Sequence, residues 1–188
     1  MSKKILFLSE KYIKENSFVS DNVNPKDLLP TVKAVQDIYI HPMLGTALYN
    51  KLQDLVMNQN TTPIPADYVS LLDYYILDAL LWYALADMPI PLQMKLVNKG
   101  VVQRADATIA VSSTSDRKEL HDYCKSKAEW YAQRAINYLR ANTDKYPDYI
   151  DPGTGCDVIL PDRTQFSTGI FLGASAGRRR RNFGDKYQ

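Results

Sequence analysis

A chain of 188 residues, 45% of them apolar, is long enough to bury one core of ordinary size and too short for two independent ones. Its two cysteines, Cys124 and Cys156, exclude a disulfide framework, and the start MSKKILFLSEKY turns polar too soon for a signal peptide, so a reducing cytoplasm is the expected setting. The net charge of +2 is unevenly spread. From Arg163 onward six basic residues face one acid, a net +5, which leaves 17 basic and 20 acidic groups before it, a net −3: a mildly acidic body with a basic tail.

In chain order, the short apolar run 5–8 leads to Ser9, a candidate N-cap for a brief helix through Tyr12, Ile13 and Glu15; pairing as a strand is the alternative. Residues 16–25 are polar and turn-rich, a connection. Residues 27–39 carry Leu28, Val32, Val35, Ile38 and Tyr39 at helical spacing, with Pro30 in the first turn. His41-Pro42 is expected to break this helix, because the residue before a proline is pushed out of the α region. A second helix is predicted over 45–57, packed beside the first across a Pro-x-Leu-Gly turn in which Pro42 and Gly45 are the structural residues.

The centre of the chain is 67–88, DYVSLLDYYILDALLWYALADM, apolar on most of its circumference and therefore in need of neighbours on most sides. Asp73, Asp78 and Asp87 would each cost a few kcal/mol or more inside a bilayer, so the stretch reads as a buried core helix; no membrane partner is expected. Asp67 is the expected N-cap, with Pro89 and Pro91 ending the helix. Residues 89–114 form an insertion without helical period: 94–97, Asn98-Lys99-Gly100 and Val101-Val102 spell a small hairpin, and 105–114 a loop. Ser115 or Asp116 caps the last long helix, Asp116 with Glu119 as a capping box. The stripe of that helix is Leu120, Cys124, Ala128, Tyr131, Ala135, Tyr138 and Leu139, and it ends near Asn142.

The fold class expected is mainly α: a four-helix bundle-like body over 1–149 with a small hairpin or irregular insertion at 89–114, and an extended C-terminal arm over 150–188. The arm holds six of the eight glycines and two short apolar runs, 158–160 and 170–172, that look like strands in want of an edge. Thirteen tyrosines against five phenylalanines suit either interfaces or a wet core edge.

Chemistry is sparse. No phosphate-binding loop, dinucleotide fingerprint, zinc-finger spacing or nucleophile elbow is present. His121 and Cys124 lie three apart, but zinc needs three or four ligands and no spacing nominates the others; no metal, no cofactor and no catalytic residue is expected. Asp73 and Asp78 point about 140° apart on a helix and do not pair as acid and base. Arg178, Arg179, Arg180 and Arg181 are the sharpest charge feature. They are suited to phosphates through counterion release, to carboxylates of a protein partner, or simply to solvent.

The stretch IYIHPMLGTALYNKL at 38–52, the later VNKGVV at 97–102, AEWYAQRAINYLRAN at 128–142 and GIFLG at 169–173 resemble, in that order, the head-to-tail connector proteins of tailed bacteriophages, most of all the ring or adaptor proteins of crAss-like phages. The resemblance implies a structural virion protein and not an enzyme. Such a subunit would form a homo-oligomeric ring, commonly of twelve, that docks to the portal protein and seats other tail or ring proteins, with genomic DNA passing non-specifically through its lumen. Its place would be the neck or tail of the virion, after assembly in the host cytoplasm. In that setting Ile170, Phe171 and Leu172 are expected as anchors of the arm, and Arg178–Arg181 as contacts to portal carboxylates or DNA phosphates. The alternative from a different class is a small helical nucleic-acid-binding protein that uses the arginine tail.

Overall fold

The computed structural model describes residues 5–97, 100–103, 113–151 and 158–161, with 95–97 and 100–103 described by backbone alone. The described chain is mainly helical. Ser9 Oγ accepts the Tyr12 amide at 3.2 Å and starts α1 (Glu10–Asn16), whose Ile13 is buried. The next helix, α2 (25–44), is capped by Asn24, which accepts from Lys26 N at 3.0 Å. It begins two residues earlier than the apolar stripe suggested, so Pro30 falls inside the helix and withholds one ladder bond there.

His41-Pro42 does not break α2. His41 is helical, at φ −59° and ψ −48°, and the helix continues to Leu44. The reason lies just upstream. Residues Gln36–Ile40 form a π turn, and the His41 amide reaches back five residues to Gln36 O, so the ladder has already slipped where proline would interrupt an i→i−4 bond. The chain turns at Gly45 instead, with φ 78° and ψ 159°, a region essentially reserved for glycine, and α3 (Thr46–Met57) follows at once.

Central helix α4 (66–87) is continuous and carries a second π turn at Leu72–Ile76. By length and composition it could cross a membrane, yet Leu71, Ile76, Ala79, Leu80, Ala84 and Leu85 are buried by the surrounding helices. Asp67 is not its cap. The cap position is Pro65, which leaves Asp67 in the first turn, where the helix dipole favours an acid and Lys145 Nζ lies 3.1 Å from its carboxylate. Pro89 and Pro91 end α4 but open a short helix, α5 (Pro89–Gln93), where 89–114 promised no helix. Strands β1 (Met94–Val97) and β2 (Gly100–Gln103) then pair antiparallel, Met94 opposite Gln103 and Val97 opposite Gly100.

The long helix α6 (Thr114–Ala141) starts two or three residues earlier than expected. Ser113 is the cap: its Oγ accepts Asp116 N at 3.1 Å while the Asp116 carboxylate accepts Ser113 N at 3.0 Å, so Asp116 answers the box instead of opening it. Hydrogen bonds from Ser113 hold the Asp116 carboxyl below its ordinary range. Among the described elements, α4 and α6 share the most extensive contact. The buried side of α6 is Cys124, Ala128, Ala132, Ala135, Ile136 and Leu139, three of them alanines that add only a methyl group each. A 3-10 turn at Pro147–Tyr149 packs on α3 with Tyr149 buried, and the buried Tyr146 beside it donates its hydroxyl to Asp67 O at the start of α4.

Candidate interaction surfaces

Two segments, one near the N-terminus and one at 159–161, are strapped across the α2–α3 corner. At the front, Gln53 reads both backbone groups of Ile5: Ile5 N donates to Oε1 at 2.7 Å and Nε2 donates to Ile5 O at 2.6 Å. Gln36 bonds the same carbonyl through Nε2 at 2.9 Å and accepts Phe7 N at 2.8 Å. Two buried carboxamides thus replace a neighbouring strand, and Leu8 enters the core beside them. Gln36 also donates to Tyr49 OH at 3.0 Å, and that hydroxyl donates to Asp37; burial pushes the Tyr49 phenol up to about 12.

At the back, Thr46 holds Ile159 on both sides. Thr46 N donates to Ile159 O at 3.0 Å, and Ile159 N donates to Thr46 Oγ1 at 2.8 Å. His41 Nε2 shares a 3.0 Å hydrogen bond with the same hydroxyl while its ring stacks on Tyr49 at 4.4 Å. Gly45 is pressed from outside, since a Cβ there would lie 2.9 Å from Pro161 Cδ. Residues 158–160, expected as a strand, carry no regular secondary structure and are clasped by the α2–α3 turn instead.

The seam between α4 and α6 is lined with aromatic rings. Trp82 meets Tyr123 edge-on at 6.4 Å, with Lys127 Nζ 4.6 Å and 4.4 Å from the two ring centres. Further along, Arg134 lies 4.9 Å over Tyr75 and donates to Tyr74 O, a carbonyl in the π turn, at 3.4 Å. Tyr75 stacks on Tyr138 at 4.0 Å, and Tyr138 shares a 3.3 Å hydroxyl contact with Tyr146, which donates to Asp67 O at 2.8 Å. Most of these tyrosines therefore line a core edge, with the ring inside and the hydroxyl at the margin. On this flank Tyr74 (65% exposed), Tyr123 (52%) and Trp130 (60%) stand outside. A furrow of about 510 Å³ runs beside Trp130, with Glu129, Gln133 and Arg134 on its walls.

A second surface lies where α5 meets the start of α6. Pro89, Ile90, Pro91 and Met94 form the apolar side of a groove of about 630 Å³, and Arg117, Lys118 and His121 stand on the other side. Arg117 hydrogen-bonds the Gln93 side chain and Thr114, which ties α5 to α6 and fixes the groove's width. Asp87 sits in the wall. Burial raises its carboxyl, and His121 and Lys125 oppose that rise. Burial likewise raises Asp78, opposed by Arg134.

Of the residues singled out in the sequence, Gly45 and Pro42 are in the described chain, Gly45 at the turn under Pro161 and Pro42 inside α2. Ile170, Phe171, Leu172 and Arg178–Arg181 lie outside the described residues, as does Cys156. Cys124 is buried in the core, whereas His121 is partly exposed and 3.0 Å from Asp122 Oδ1. No group of three His, Cys, Asp or Glu among the described residues is placed to hold a metal ion. Gln36, Gln53, Ile90 and Trp130 were not singled out. A glutamine within an apolar helical stripe was the available signal for Gln36.

The family profile covers residues 40–159, from the π turn of α2 to the clasped Ile159. The chain belongs to DUF6712, a family of unknown function. That DUF6712 span takes in both halves of the Thr46–Ile159 clasp, the groove and the aromatic seam, and leaves the Ile5–Leu8 strap ahead of it. Neither a curated protein nor a solved structure matches the chain.

Proposed function

We propose that this DUF6712 chain is a non-enzymatic subunit of a phage head-to-tail connector, a ring that docks to the portal and joins capsid to tail. The observation that carries the reading is that one rigid helix, α6, borders two unlike exposed surfaces, the apolar groove beside α5 and the ring-rich flank around Trp130. A closed head-to-tail ring requires two different, complementary patches on every subunit. The sequence resemblance to connector proteins points the same way, and the lack of any recognisable nucleophile, base and orienter in the sequence fits a structural role.

In this reading the helices make a four-helix bundle-like body, and the arm over 150–188 adds short strands to a neighbour. Ile170, Phe171 and Leu172 anchor it, and Arg178–Arg181 meet portal carboxylates or phosphates of the DNA in the lumen. Electron microscopy of the purified protein, alone and with its portal, tests the reading. Rings, commonly of twelve, or a collar on the portal are the expected result. A protein that stays monomeric in both preparations, yet binds DNA with an affinity that falls steeply with salt and is lost on deleting 178–188, would replace the connector with the nucleic-acid-binding alternative.

A further inference from the structure

We propose that the contact between neighbouring copies is made by Trp130 of one subunit seated in the α5–α6 groove of the next; this rests on the connector reading above and assigns it a surface. Trp130 projects from α6 with its indole 60% exposed, and Ile90, on the wall of the groove, is 63% exposed. Tryptophan is the side chain most often found at the energetic centre of protein contacts, and proline and aliphatic walls offer it a flat apolar slot. A groove of about 630 Å³ has room for an indole ring.

Placement argues for a second copy as the occupant. His121, on the groove, and Trp130 are nine residues apart on α6, which at 3.6 residues per turn sets them on opposite sides of the helix and about 14 Å apart along it. A subunit cannot fill its own groove with its own Trp130, and a single pair cannot satisfy all four surfaces by facing each other through one patch. The contact is therefore heterologous, each subunit giving a knob on one side and receiving one on the other, the kind of contact from which a closed ring is built when the rotation between subunits closes. Charge agrees. Glu129 stands next to Trp130, while Arg117 and Lys118 stand at the groove.

The test uses the full chain and two single variants, Trp130→Ser and Ile90→Asp. Both side chains are largely exposed, so the melting curve of each should stay near that of the wild type. Sedimentation velocity should show rings for the wild type, and for each variant alone an association at least about 30-fold weaker, as expected for losing a central contact residue. Mixed in equal amounts, the two variants should form a heterodimer and stop there, since one intact knob and one intact groove remain. Wild-type rings together with undiminished rings of either variant, or a mixture that gives no heterodimer, would overturn this contact and leave the connector reading standing. A wild type that never self-associates, alone or on its portal, would remove both.

Discussion

The two ends of the described chain are fastened to the same corner by different means. Ile5–Phe7 is held by four hydrogen bonds from two buried glutamines, and Leu8 anchors it in the core. Ile159 is held by two bonds to one threonine at the surface of the turn, with Leu160 beyond it 67% exposed. The front strap is part of the core, because releasing it would unpair the buried carboxamide groups that Ile5 and Phe7 now satisfy. The back one is a clasp, since its donors and acceptors return to water when it opens. Releasing Ile5–Phe7 therefore costs more than releasing Ile159.

The corner is most vulnerable at Gly45, which serves the clasp and the turn together. Gly45→Val places a β-branched residue at a positive φ and drives its Cβ against Pro161, so a loss of about 3–5 kcal/mol is expected, strain and overlap combined, or a melting temperature lower by about 10 °C. An unchanged thermal midpoint would mean that the turn is not built this way. Gln36→Leu attacks the front strap alone. It leaves Phe7 N and one bond of Ile5 O unpaired, at a cost of about 2–3 kcal/mol, and hydrogen exchange at Phe7 should accelerate while the amide of Ile159 keeps its protection.

Thr46→Val opens the clasp by removing the hydroxyl that accepts from Ile159. The expected loss is about 1 kcal/mol, with faster exchange at Ile159 and none at Phe7; equal acceleration at both would erase the distinction between strap and clasp. The smallest effect comes from acids that serve neither end. The folded forms of Asp78 and Asp87 titrate above the unfolded value, so the folded state binds more protons from about pH 4 upward to the raised value, and stability declines as pH rises through that window. Both groups are partly solvated, which keeps the slope shallow. Asp78→Asn with Asp87→Asn should flatten the melting temperature against pH there, without altering exchange at either end; a slope that persists would assign it to other groups.

Much of the helical order was legible because it is local. Ser9, the 67–88 stripe and the chain stop near Asn142 announce themselves within a few residues, through caps and periodicity. The hairpin at 94–103 was readable for the same reason, from Asn98-Lys99-Gly100 between the short runs 94–97 and Val101-Val102. Errors arose where a local rule met a non-local one. His41-Pro42 looked like a helix end, but the π turn at Gln36–Ile40 absorbed it, and that turn points Gln36 inward to take Ile5 and Phe7. Asp67 looked like a cap and became half of an ion pair with Lys145.

By itself the sequence determined the helices, their buried faces and the contrast between an acidic body and a basic tail, since these depend on spacing and composition. Tertiary structure decided what the helices present to the outside: that Trp130 and the α5 groove fall on opposite sides of α6, that Gly45 lies beneath Pro161, and that Thr46 holds a residue 113 positions away. Such pairings join residues with no periodic relation, so they emerge only when packing brings distant backbones to one place.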